Sequence, residues 1–293
     1  MRRHAHRAAV TRRLARRPLT AREMEARAAA AKVVAKAAPL PSGEALAMLA
    51  RRGFRPELSR PDLPFPRELD AIRAERLTEQ LGHYSFRLFL RGAILRNGDF
   101  APGEVTRYLT AAQEKTLADA LVELGILACT PRERYRLVRR AESFGPTLEW
   151  YVARELRQRL GCDVATGVKF RARGLGGDLD VVAAVENKLV YVELKSSPPK
   201  HLTPEEVGSF FARVRRLRPD VAVFAMDTSL RLSDRVLPLL AAGLDPACEP
   251  PRRIERDLWM LTPHLYAVSA KADFVANICR VVGEGLIALG PSH

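Results

Sequence analysis

A chain of 293 residues, 47% of them hydrophobic, can bury a substantial core as one large domain or two small ones. Its formal net charge of +14 points to a polyanionic partner, nucleic acid first, although a ribosomal-type or membrane-surface protein would carry the same charge. Four scattered cysteines (Cys129, Cys162, Cys248 and Cys279) without a Cys-x-x-Cys pair argue against a zinc site or a disulfide framework, and no apolar run approaches the roughly 20 residues of a membrane span.

The start, Met1-Arg2-Arg3, lacks the apolar segment of a secretory signal, while its Arg- and Ala-rich character also matches an organelle transit peptide. The expected compartment is the cytoplasm, in association with the nucleoid. Residues 1 to about 38 carry arginine throughout and read as a mobile basic arm, helical on nucleic acid, or as a solvated tail. Prolines 39, 41, 56, 61, 64 and 66 then break the chain into linker, with one short helix over Gly43–Arg52, so residues 1–76 form an arm and linker.

The pattern changes at residues 77–141. Helices are predicted over His83–Arg96, stopped by Asn97-Gly98, over Gly103–Leu109, and over Ala111–Leu124 with Gly125 as its stop. Two strands follow, Ile126–Thr130 and Tyr135–Arg139, about a Pro131-Arg132-Glu133 turn. Three helices and a hairpin resemble a winged helix-turn-helix domain, whose basic wing would place Arg132, Arg134 and Arg136 on nucleic-acid phosphates. Glu114, Asp119 and Glu123 make the third helix a poor base reader, and a helical module packed on a neighbour is the plainer alternative.

From residue 142 onward the elements run helix, three strands, helix, strand. The helix that starts at Gly145 places Leu148, Val152, Ala153, Leu156 and Leu160 on one face at about 100° per residue, with Glu149 in the middle of that face. A carboxylate there needs a partner: an arginine, or a metal shared with other acids. Cys162–Arg171 reads as a strand, followed by a glycine-rich loop over 174–177. Asp178–Val185 and Lys188–Lys195 form a hairpin about Glu186-Asn187. Pairing Val185 with Lys188 sets Asp180 opposite Glu193 and Asp178 opposite Lys195. Two facing carboxylates repel, and the apolar neighbours on both faces leave little room for water, so a divalent cation with oxygen ligands is the expected answer. Thr203 and Glu206 form a capping box for a helix that buries Val207, Phe210, Phe211, Val214 and Leu217. A buried strand over Val221–Met226, a helix over Ser233–Ala242, a proline-containing loop, a strand near Leu265–Ser269 and a helix over Ala272–Ala288 complete the chain.

Glu149, the glycine and acid run Gly176 through Asp180, and Glu193-Leu194-Lys195, in this element order, resemble the PD-(D/E)XK nuclease superfamily, in its restriction-endonuclease-like and Holliday-junction-resolvase-like branches. The resemblance spans about residues 145–228. It implies an α/β fold with a restriction-endonuclease-like αβββαβ core around a central mixed sheet. It implies a metal-dependent endonuclease acting on DNA. Asp180, Glu193 and the Leu194 carbonyl would bind Mg²⁺ or Mn²⁺, Glu149 would bind a second metal or order its water, and Lys195 would hold or deprotonate the attacking water. Asp178 would be a charge partner or outer-shell acid, or else a competing ligand; His201 would lie at the surface or contact phosphate, and Lys200 would contact nucleic acid. Lys200 and His201 precede a second helix without the glutamine some branches carry there. A non-catalytic DNA-binding winged-helix protein with a nuclease-like scaffold is the alternative reading, a structural partner in a larger complex is a third, and a homodimer is compatible with either activity.

Overall fold

Glu186 and Asn187 both take left-handed backbone conformations, with φ of 49° and 61°. That is the two-residue turn whose twist matches a pair of antiparallel strands. It joins the strands Leu179–Val185 and Lys188–Lys195 of an eight-stranded sheet, and the sheet organises everything else. The computed structural model describes residues 42–66, 68–170 and 177–290. The expected basic arm and most of the glycine-rich loop lie outside them.

In chain order the elements are α1 (Glu44–Arg51), β1 (Pro56–Leu58), α2 (Ala71–Gly82), α3 (Tyr84–Arg96), α4 (Ala111–Glu123), β2 (Leu127–Cys129), β3 (Tyr135–Leu137), α5 (Gly145–Leu160), β4 (Asp163–Phe170), β5 (Leu179–Val185), β6 (Lys188–Lys195), α6 (Pro204–Leu217), β7 (Val221–Met226), α7 (Val236–Ala242), β8 (Arg252–Glu255), β9 (Leu258–Thr262), β10 (Leu265–Ser269) and α8 (Phe274–Ala288). Strands β2 and β3 pair with each other, and the large sheet runs β1-β4-β5-β6-β7-β10-β9-β8. It is mixed: β6, β7 and β10 run parallel, while both flanks are antiparallel. The parallel step from β6 to β7 needs a crossover, and α6 supplies it. Thr203 and Glu206 cap α6 reciprocally, as the sequence predicts.

Alternation along the strands sorts the core into two apolar layers. Val181, Ala183, Val190, Val192 and Val223 face α5 and α8. Val182, Leu189, Tyr191, Ala222 and Phe224 face α6, and α1 caps the same layer with Leu46 and Leu49. The first layer does not stop at the sheet. Phe86, Phe89 and Leu90 of α3 and Leu121 of α4 continue it without a break, so helices α2, α3 and α4 share one apolar cluster with the sheet.

Four expectations change. The segment 103–109 is a series of turns rather than a helix, because the buried Glu114 carboxylate accepts the backbone N–H groups of Gly103, Val105 and Thr106. Those donors would otherwise feed a helical ladder. The third helix of the N-terminal group is instead α2, which begins in the stretch read as linker and runs past its expected end at residue 76. Pro56–Leu58 is also no linker: it pairs with β4 at the sheet edge. The proline-containing loop after α7 holds the β8–β9 hairpin. Asn97 and Gly125 stop their helices with φ of 51° and 71°, as expected. Phe100 bridges Tyr135, so the β2–β3 hairpin gains a third partner.

Candidate active site

The β5–β6 ladder pairs Val185 with Lys188 and Val181 with Val192. Continuing that register sets Asp180 against Glu193, in agreement with the pairing deduced from the turn. Here the chains part from regular pairing: the Asp180 carboxylate accepts the Leu194 N–H at 2.7 Å. A side chain thus takes a backbone donor at the end of the ladder and is pinned beside Glu193.

Glu193 is buried and heavily engaged. Its Oε2 accepts from the Tyr191 hydroxyl and from Arg213 Nη1 at 3.0 Å. Its Oε1 faces Lys195 Nζ at 3.1 Å, and Lys195 also reaches Glu206 Oε1 at 3.2 Å. Glu206 therefore has two tasks: one oxygen caps α6 through the Thr203 N–H and the other holds the lysine. Burial pulls the Lys195 ammonium down, but attraction to Glu193 and Glu206 outweighs it and the net shift is upward. Lys195 is thus held cationic. Burial works the same way on Arg213, and its anionic neighbours, Glu193 among them, again produce a net rise.

Glu149 enters from α5 and lies half-buried. The Gly167 N–H donates to its carboxylate. Gly167 interrupts β4 with φ of +57°, and a Cβ there would stand 2.4 Å from Ser59 Oγ and 3.8 Å from Glu149 Oε2. Its backbone conformation and the nearness of Ser59 both require glycine, and the strand passes close to the Glu149 carboxylate without losing register. Burial, then the like charges of Asp178 and Glu193, push the Glu149 carboxyl up to about 7. Burial, then Glu193 and Glu149, raise Asp180 well above the ordinary carboxylate range. Three acids from α5, β5 and β6 therefore share one electrostatic environment, with Lys195 and Arg213 as its cations.

Other predicted residues fall elsewhere. Asp178 does not meet Lys195. Its Oδ2 lies 3.6 Å from Lys169 Nζ, because Lys195 turns toward Glu193 and Glu206 instead. Lys200 and His201 lie exposed on a single helical turn, Pro199–His201, beyond the end of β6. In the β2–β3 hairpin Arg132 and Arg136 are exposed, while Arg134 is held by Glu104 at 2.8 Å and by the Asp99 carbonyl. The acids of α4 are all occupied: Glu114 by its loop, Asp119 by Lys115 and the Tyr135 hydroxyl, and Glu123 by Arg76.

Sequence patterns did not single out Tyr191, Glu206, Arg213 or Gly167. In sequence Tyr191 is one more apolar strand residue, and Glu206 is fully accounted for as a helix cap. Arg213 lies 20 residues from Glu193 on a basic helix, with nothing to mark it among its neighbours. Gly167 carried a usable signal, since an isolated glycine within a strand marks a bulge or a close approach.

The oxygen donors of Asp180, Glu193 and Glu149 suit a hard divalent cation, and the raised acids are what such a cation relieves. Among the described residues, no three His, Cys, Asp or Glu side chains stand at coordinating spacing. Glu193 is drawn instead onto Tyr191 and Arg213.

No known family and no curated protein matches the sequence. Among solved structures the chain is similar to protein VC1899 from Vibrio cholerae, with 16% identity, 84% of this chain and 62% of that chain covered, and a TM-score of 0.48. It is also similar to Can2 from Sulfobacillus thermosulfidooxidans, solved in complex with cyclic tetra-adenylate, with 15% identity, 82% and 59% covered, and a TM-score of 0.44. The chain spans about three fifths of the length of both. No helix among the described residues is long and apolar enough to cross a membrane.

Proposed function

We propose that this chain is a Mg²⁺- or Mn²⁺-dependent nuclease that cuts phosphodiester bonds internally, with DNA as its substrate. One observation carries the reading: three carboxylates, Glu149 of α5, Asp180 of β5 and Glu193 of β6, share one electrostatic environment with Lys195 at the end of β6. Two acids with raised pKa values, Glu149 and Asp180, near a fixed cation are what phosphoryl chemistry needs and a folding core avoids. Asp180, Glu193, the Leu194 carbonyl and Glu149 would hold the cation, which when bound stabilises charge developing on the phosphate and lowers the pKa of a bound water.

The chain's own groups divide the remaining work. Lys195 stays charged, so it orients the attacking water and neutralises a phosphate oxygen rather than accepting a proton. Glu149, near 7, is the carboxylate able to take a proton at neutral pH. Tyr191 and Arg213 fix the Glu193 carboxylate. Helices α2–α4 and the β2–β3 hairpin would form the winged-helix-like grip, with Arg132 and Arg136 on the backbone.

The test is a cleavage panel over linear, nicked, branched and single-stranded substrates with Mg²⁺ or Mn²⁺, using Asp180→Ala as the control. Lys195→Ala should lower cleavage by about 10²- to 10⁴-fold while binding in EDTA survives. Equal cleavage by Lys195→Ala and the unaltered protein refutes the proposal.

A second reading, nucleic-acid binding without catalysis, is favoured by the engagement of Glu193 with Tyr191, Lys195 and Arg213. It predicts salt-sensitive, EDTA-indifferent binding and no cleavage of any substrate in the panel.

A further inference from the structure

The loop that leaves β6 runs directly against α3. Arg91 of α3 donates to the Ser196 carbonyl, one residue after Lys195. Between them opens a cavity of about 220 Å³, lined by Tyr84, Leu88, Arg91, Tyr108, Pro198 and Leu230 among others. It is smaller than the roughly 300–1,000 Å³ of sites that enclose a drug-sized ligand, so it admits one part of a larger molecule.

Its mouth has two kinds of wall. One is cationic. Arg107 Nη2 lies 2.8 Å from the Tyr108 hydroxyl, and Arg107, Lys200 and Arg91 together hold that phenol below its ordinary range, the hydrogen bond from Arg107 first. None of the three cations has a carboxylate within ion-pair distance among the described residues. Asp227, on the cavity floor, is already paired with Arg87. The other wall is apolar and open. Tyr108 is 62% exposed and Leu230 59% exposed, and the Arg107 guanidinium sits 4.9 Å from the Tyr108 ring centroid. Three cations without an ion-pair partner beside an exposed aromatic ring cost electrostatic energy and hide no apolar surface. Folding alone does not call for that arrangement.

We propose that this cleft is a nucleotide subsite: one backbone phosphate sits among Arg91, Arg107 and Lys200, and the adjoining unpaired base stacks on Tyr108 toward the cavity. Phosphate takes cations at any sequence, and an aromatic face takes any base, so the subsite selects for a strand with an accessible base rather than for a sequence. It deepens the nuclease reading and rests on it for one point only, that the same strand continues to Lys195. The path is short, since the Ser196 carbonyl meets Arg91 and Pro198 lines the cavity.

The experiment measures binding of the full chain in EDTA by fluorescence anisotropy, with a labelled single-stranded DNA oligonucleotide and a blunt duplex of the same length. Tyr108→Ala should weaken single-strand binding about 10-fold and leave duplex binding unchanged. Tyr108→Phe should keep most of the single-strand affinity, since the ring is retained. Arg107→Ala and Lys200→Ala should weaken single-strand binding and flatten its salt dependence. Tyr108 is exposed, and thermal melting verifies that each variant folds. An unchanged affinity in Tyr108→Ala overturns the subsite, and so does an equal loss on duplex and single strand. Cleavage is scored separately. A protein that cuts DNA without this Tyr108 signature loses the subsite and keeps the nuclease reading, and one with the signature but no cleavage does the reverse.

Discussion

Replacing Glu149 by glutamine should make the metal-free protein more stable, and only at the higher end of the pH range. The carboxyl rises from an ordinary value of 4.5 to about 7, first because it is buried and then because Asp178 and Glu193 repel its charge. The folded state therefore holds this proton between about pH 4.5 and 7, where the unfolded chain has released it. Stability must fall as pH rises through that window, with the full deficit present above about pH 7. A span of about 2.5 pH units at 1.36 kcal/mol each gives about 3 kcal/mol, a ceiling because Asp180 shares the repulsion. Glutamine keeps an oxygen for the Gly167 N–H and removes the charge. Thermal unfolding in EDTA should then show Glu149→Gln melting roughly 6–12 °C above the unaltered protein at pH 8, converging with it toward pH 4.5. A difference that stays constant from pH 5 to 8 would refute the electrostatic account of the site.

Two further predictions concern the scaffold. Arg87 and Asp227 are each 1% exposed and lie 2.9 Å apart, with the Arg87 guanidinium also bonded to the Leu81 and Gly82 carbonyls and set against the rings of Tyr84, Tyr151 and Phe274. Asp227→Ala leaves that cation buried without its carboxylate and should cost about 3–5 kcal/mol in urea unfolding, whereas the paired change Arg87→Met with Asp227→Leu should cost far less. Equal losses in both would show that packing, not charge, dominates. Glu114→Ala removes the acceptor of three backbone N–H groups and should destabilise by about 2–4 kcal/mol. Hydrogen exchange should accelerate first at residues 103–106, and unchanged protection there would disprove the role given to this carboxylate.

The parts of the fold that are readable in sequence are those whose cause is local. The Glu186-Asn187 turn fixes the register of β5 against β6, and alternation then carries Asp180 to its place opposite Glu193. The capping box at Thr203 and the stops at Asn97 and Gly125 are equally local. Where the cause is remote, sequence pattern is silent or misleading. Segment 103–109 loses its helix to a carboxylate from the following helix, and Val105 packs against Gly92, where a Cβ would clash at 2.7 Å. Strand β1 is three residues long and exists because β4 offers it an edge. Strand β8 is largely exposed and polar, without alternation to announce it. In the site, Arg213 reaches Glu193 only because α6 folds back over the sheet, and Arg87 meets Asp227 across 140 residues. Neither meeting leaves a trace in spacing.

Helix α3 holds Asp227 through Arg87 and the Ser196 carbonyl through Arg91, and the Asp227 N–H in turn binds the Lys195 carbonyl. Its apolar residues belong to the same cluster as the inner face of β5, β6 and β7. This has a consequence for inheritance. A recombination event that joined residues after Gly145 to a different leader would strand a buried acid, expose a broad apolar face and loosen the turn that carries Lys195. Helix and sheet therefore depend on each other for stability, and a substitution in one is felt by the other. The helices before Gly145 are not an accessory that could be exchanged for another to redirect the same chemistry.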